Sequence, residues 1–141
     1  MTDRLQVEQL VRELHAARVE GNLERLCGLY AEGARLRIAG STDGKPIAIA
    51  ASGIAEIRPW LSILVKTFRL TQYMILSLSV DLPRATAHWQ VDIHSKITGV
   101  VVPTELVDLL DVRGGRIASH TEFFVPLAAD PARVAGRATS A

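Results

Sequence analysis

Near the start of the chain, apolar residues recur at helical spacing. Val7, Leu10, Val11, Leu14 and Val19 fall on one stripe, with charged side chains between them. Asp3, followed three residues later by Gln6, has the form of a capping box. "EGN" at 20–22 ends the helix, because Gly21 suits a C-terminal cap and Asn22 can cap the next helix. Arg18 is placed on the polar side of this first helix. A short second helix is predicted from Leu23 to about Ala31, with Leu23, Leu26 and Tyr30 on one face, so the two pack as a hairpin. "ARLRIAG" then alternates as a strand, Leu36 and Ile38 facing one way, Arg35 and Arg37 the other. "STDGKP" is read as a loop. A third helix is predicted from about Ile54 to Phe68, with Pro59 kinking it or delaying its start.

From Arg69 onward the period drops to two. "TQYMILSLSV" and "RATAHWQVDIHS" flank the turn "DLP", and "VVPTELVDLLDV" and "GRIASHTEFFV" flank "RGG". Both pairs read as hairpins, joined by a looser "KITGV". Helices followed by strands predict an α+β domain, with helices packed on one face of a largely antiparallel sheet. The domain is expected to span residues 1–127. The tail 128–141 is expected to form one helical turn after Asp130-Pro131 and then fray.

Composition narrows the function classes. The 141 residues are 48% hydrophobic and 22% charged, which argues against wholesale disorder. A net charge of +1, evenly dispersed, gives no basic stripe for nucleic acid. The lone Cys27 allows no internal disulfide and reads as core, and no Cys/His spacing suits zinc, so no metal or cofactor is expected. No apolar run approaches the ~20 residues of a membrane span. The first thirty residues are charge-rich and amphipathic rather than signal-like. A cytoplasmic protein without membrane or nucleic-acid partners is the expectation.

The landmarks "EGNLERLCGLYAEGARLRI", "GIAEIRPWL" and "LLDVRGGRIASHTEFF" together resemble the nuclear transport factor 2-like superfamily, in its SnoaL-like and ketosteroid-isomerase-related branch. The resemblance covers roughly residues 5–126. It implies a cone, a strongly curved sheet wrapped around three helices with a pocket on the concave side, and a homodimer formed through the convex sheet face. It also implies that the polar residues of "HWQVDIH", His88, Gln90, Asp92 and His94, line the pocket, while Trp89, Val91 and Ile93 turn to the dimer contact.

Branch by branch, the resemblance withholds a reaction. The acid–base–acid trio of limonene-type epoxide hydrolases falls on Gln90, Asp92 and Glu122, and the residues that orient water fall on Leu36 and Ile38, which cannot do so. The base of ketosteroid isomerases falls on Ile38, the oxyanion-site tyrosine on Leu14, and the protonated acid on Asp108, the one member retained. Asp108 in an apolar pocket is therefore expected to have a raised pKa. Scytalone-dehydratase-like histidines fall on His94 and near Tyr73. Neither epoxide hydrolysis nor steroid isomerisation by those routes is expected. Val125 stands where the family often has an acid after the "EFF" triplet.

What remains is an acid/base cluster of Asp92, Glu122 and either His94 or His120, since a carboxylate beside an imidazole fixes its tautomer and keeps it basic. Gln90, His88, Asp108, Leu14, Leu36, Ile38, Trp60, Tyr73 and Phe124 are the expected ligand-contacting residues around it. A small apolar or ring-containing metabolite is the expected ligand. A cofactor-free isomerase, cyclase or lyase and a non-catalytic binding protein both fit.

Overall fold

The structure is a computed structural model and describes residues 3–42 and 44–127, so the expected tail lies outside the described residues. Helix α1 (Arg4–Glu20) is followed by α2 (Leu23–Cys27), strands β1 (Tyr30–Thr42) and β2 (Lys45–Ser52), helix α3 (Ile54–Thr67), and strands β3 (Phe68–Asp81), β4 (Arg84–Ser95), β5 (Val101–Arg113) and β6 (Arg116–Pro126). The six strands form one curved open sheet in the order β2-β1-β6-β5-β4-β3. Only the β1–β6 pair is parallel; β1–β2 and the run from β3 to β6 are antiparallel. The α+β architecture with three helices is the one expected.

Local chemistry accounts for the element ends. Asp3 accepts from the Gln6 N–H at 2.9 Å and the Gln6 side chain accepts from the Asp3 N–H at 2.9 Å, closing the capping box. Asn22 caps α2 by accepting from the Arg25 N–H at 3.1 Å. The β5–β6 hairpin turns at Gly114 and Gly115, both at positive φ (59° and 75°), where a side chain would clash with its own backbone.

Two elements differ from expectation, and a third keeps its expected bounds. Helix α2 is only five residues long, and Tyr30 opens β1 instead of closing the helix. Residues 45–52 form an edge strand, its inward positions Ile47, Ile49 and Ala51 alternating with exposed ones. Helix α3 starts at Ile54 as expected and is continuous through Pro59, giving up the single bond that a residue 59 N–H would make to the preceding turn.

The larger correction concerns the faces of β4. Trp89 is fully buried and Ala85, Ala87 and Val91 nearly so, so this apolar row faces the helices on the concave side. By strand alternation His88, Gln90, Asp92 and His94 point to the convex side. The implied assignment of Trp89 to a dimer contact is therefore overturned. Its indole N–H has a buried partner, and its ring packs with Leu70, Val91 and Leu106. The main core lies between α1 and the sheet, where Val7, Val11, Leu14 and Ala17 meet Leu36, Leu110, Val112 and Ile117.

Leu14 has no exposed surface whereas Leu5 on the same helix is 63% exposed. Leu14→Ala is expected to cost about 2–5 kcal/mol by urea denaturation, and Leu5→Ala no more than roughly 0.5 kcal/mol. Equal losses would show that α1 packs on another face.

Candidate functional site

The concave side holds a cavity of about 310 Å³. Strands β1 and β2 contribute Ile38, Ile47 and Ile49, α3 contributes Trp60, Ile63 and Leu64, and the other strands contribute Leu70, Ile93, Leu106 and Phe124. Among the described lining residues the only charged ones are Arg18 from α1 and Glu122 from β6. They are paired: the Arg18 guanidinium donates to Glu122 Oε2. Glu122 is 2% exposed, so this pair is the charged, inner end of a mostly apolar chamber to which Thr42 and Thr104 add hydroxyls.

Behind Glu122 lies a buried hydrogen-bonded chain centred on Asp108 of β5, which has no exposed surface. Asp108 accepts three N–H bonds: His120 Nε2 at 2.8 Å on one oxygen, and His15 Nε2 at 2.8 Å and Trp89 Nε1 at 2.7 Å on the other. Each imidazole meets a tyrosine through its other nitrogen. Tyr73 Oη lies 2.8 Å from His15 Nδ1, and Tyr30 Oη lies 2.8 Å from His120 Nδ1. Burial pushes His15 below its ordinary value against the pull of Asp108, so its ring is neutral. A neutral ring that donates from Nε2 must accept at Nδ1, so the Tyr73 hydroxyl is the donor there. Burial also raises both phenols, Tyr73 to about 12, so both stay protonated.

The two carboxyl groups diverge. Burial alone would raise Asp108, but His120 and the His15 N–H outweigh it and hold the carboxyl well below its ordinary value. For Glu122, burial dominates; Arg18 pulls down, the adjacent Asp108 charge pushes up, and the carboxyl is pushed up to about 8. Burial opposes the charge on Arg18, but Glu122 and Asp108 keep its pKa above the ordinary value. Asp108 is thus held as an anion, Arg18 as a cation and Glu122 as a neutral acid, and of these three the acid and the cation face the cavity. The raised pKa expected at Asp108 is therefore found at Glu122 instead. Three N–H donors on Asp108 stabilise its charged form, and Glu122 has no equivalent set.

Asp108, His120 and Glu122 also offer ligand atoms within 4.8 Å of one another. A cation placed among them would face the Arg18 guanidinium, which already fills that electrostatic role, so the donor set fits proton handling better than a metal.

The other expected residues separate clearly. Ile38, Trp60 and Phe124 line the cavity with Glu122. His120 sits behind it, its Nε2 3.9 Å from Glu122 Oε2. Tyr73 and Asp108 belong to the buried chain, and Leu14 and Leu36 to the core. Asp92, His94, Gln90 and His88 are not brought to the cavity. His94 bonds Thr71 at 2.7 Å, and His88 bonds Glu105, both across the convex face. The cluster expected in one pocket, Asp92 and Glu122 with either His94 or His120, therefore reduces to Glu122 and, one layer back, His120. His15 and Arg18 were missed, although both extend the α1 stripe by four residues, from Val11 and Leu14.

A family model described as the SnoaL-like domain matches residues 11–120. No curated protein sequence matches. Solved structures resemble the chain in fold. A candidate isomerase from Bacillus subtilis is 20% identical, with a TM-score of 0.77 over 95% of this chain and 96% of its own. A ketosteroid isomerase-like fold protein from Catenulispora acidiphila, solved with trimethylamine, is 18% identical, TM-score 0.69, covering 87% and 89%. SalBIII, an epoxide hydrolase/cyclase-like enzyme of pyran ring formation in salinomycin, is 18% identical, TM-score 0.69, covering 89% and 95%.

The raised acid has a pH signature. Folded Glu122 keeps its proton to about pH 8, whereas an ordinary glutamate releases it near 4.5. Between these values the folded state binds more protons, so stability falls as pH rises. Asp108 acts oppositely, its contribution being lost as pH falls below 3.8. Glu122→Gln is expected to flatten the decline between pH 4.5 and about 8 in urea titrations. An unchanged slope would mean that folded Glu122 is ionised.

Proposed function

This chain belongs to the SnoaL-like domain family, and on that premise we propose that it binds a small apolar or ring-containing metabolite and acts on it by cofactor-free acid chemistry of the isomerase, cyclase or lyase kind. One observation carries the reading: a mostly apolar cavity ends on Glu122 and Arg18, its charged lining residues. An apolar chamber with a few convergent polar groups is the usual form of a small-molecule site. A carboxylic acid with a pKa near 8 both donates and recovers a proton at neutral pH. In this reading Glu122 donates to an acceptor oxygen of the ligand, and Arg18 stabilises the carboxylate left behind. Asp108 and His120 hold Glu122 in place and take no direct part.

A non-catalytic binding role is the second reading. What favours it is the absence, among the described lining residues, of any second carboxylate or imidazole to act as a base.

The convex face exposes Met74, Leu109, Phe123 and Val125, between 38% and 60% each. We assign to this patch the homodimer contact expected from the sequence, now without Trp89.

The two readings separate in one experiment. Enolisable ring ketones such as tetralone and cyclohexenone are incubated with the protein in deuterium oxide and followed by mass spectrometry. With Glu122 protonating the ketone oxygen and solvent water taking the α-proton, label uptake is expected to speed up, and Glu122→Gln to slow it about 10²- to 10⁴-fold. Ketones that bind but exchange no faster than in buffer would favour the binding role. Uptake untouched by Glu122→Gln would remove Glu122 from the chemistry.

A further inference from the structure

Phe124 stands two residues beyond Glu122 on β6, so both side chains point into the cavity about 7 Å apart. Its neighbour across the parallel pair is Gly40 of β1. The flanking inward residues of β1, Ile38 and Thr42, both line the cavity, so position 40 lies on the same wall. The absence of a side chain there has a direct consequence. A Cβ at position 40 would stand 2.5 Å from the Phe124 carbonyl oxygen and 2.6 Å from both Cδ1 and Cε1 of its ring. The ring therefore occupies the volume that any other residue at 40 would fill. It lies back against β1 and leaves the chamber open in front of it.

We propose that Phe124, seated on Gly40, is the specificity-determining wall of this site, an aromatic plate beside the acid that selects flat ring ligands over compact, globular ones of similar size. The inference rests on the cavity reading above and adds which shape the cavity prefers. A ligand ring laid on Phe124 gains an aromatic contact, and its oxygen is then directed along the strand toward Glu122. From α3, Ile63 and Leu64 offer apolar contact to either ligand shape; Trp60 and Phe68 add rings elsewhere on the lining, and of the three aromatic residues Phe124 is the one that shares a strand with Glu122. Gly40 matters twice, since its missing side chain admits both the ring and the close approach of the β6 carbonyl.

The test uses N-phenylnaphthylamine, a neutral fluorophore that brightens in apolar sites, displaced by naphthol (flat) or by borneol (compact). Wild type is expected to favour naphthol, and Phe124→Leu, which keeps the wall apolar, to lower the naphthol-to-borneol ratio about three- to tenfold. Upfield ring-current shifts of bound naphthol are expected in wild type and reduced in the variant, where Trp60 and Phe68 still line the cavity. Gly40→Ala is expected to push the ring forward and weaken naphthol most. Should that chain fail to fold, the Phe124→Leu comparison decides alone. A ratio within twofold of wild type in Phe124→Leu, or no preference in wild type, overturns this inference and leaves the cavity reading standing. Failure of wild type to brighten the fluorophore overturns both.

Discussion

The carboxylate of Asp108 is the constraint around which the interior is built. A buried charge is costly unless it is fully hydrogen-bonded. Here that requirement recruits His120 from β6, His15 from α1 and Trp89 from β4. Three separate elements are thus fixed relative to β5 by one side chain, and the two tyrosines fix the imidazoles in turn. The same charge acts on Glu122. Burial disfavours a carboxylate at Glu122, and the ionised Asp108 close by adds to the effect, so the proton stays on the residue that faces the cavity. Structure and chemistry are linked through one electrostatic requirement.

The site has a division of labour. Groups that titrate or hydrogen-bond strongly are gathered behind the wall, where they satisfy one another. The chamber itself is lined mainly by aliphatic and aromatic side chains, with the Glu122–Arg18 pair at its inner end. An acid in such surroundings is not solvated by competing water, and its proton is available to whatever oxygen the ligand presents. The nearby guanidinium keeps the ionised form from being prohibitive. Shape selection falls to the walls, chiefly the Phe124 ring that Gly40 allows to lie back.

Much of the fold was legible in the sequence because its signals were local. The capping box at Asp3 and Gln6, the Gly114-Gly115 turn and the alternation along β4 to β6 all appear where their residues require them. Alternation, however, separates two faces without saying which is inside. On β4 that choice depended on Trp89 reaching Asp108 on the neighbouring strand, a partner 19 positions away. The family resemblance pointed the other way, and Asp92 and His94 went with it to the convex face. Arg18 and His15 were legible by spacing yet hidden by chemistry, since a charged side chain on an apolar stripe reads as an irregularity until its buried partner is known. Strand β2 escaped because alanine at alternate positions is a weak strand former and an edge strand needs few signals.

The central claim is that Glu122 faces the cavity as a neutral acid at pH 7 despite its contact with Arg18. Isotope-edited NMR of the glutamate side-chain carboxyls, titrated across the stable pH range and assigned by comparison with Glu122→Gln, measures this directly. The expected result is one carboxyl resonance that titrates far above the ordinary 4.5, toward about 8, and is missing from the variant. A Glu122 resonance that titrates at or below 4.5, as a simple ion-paired carboxylate would, contradicts it.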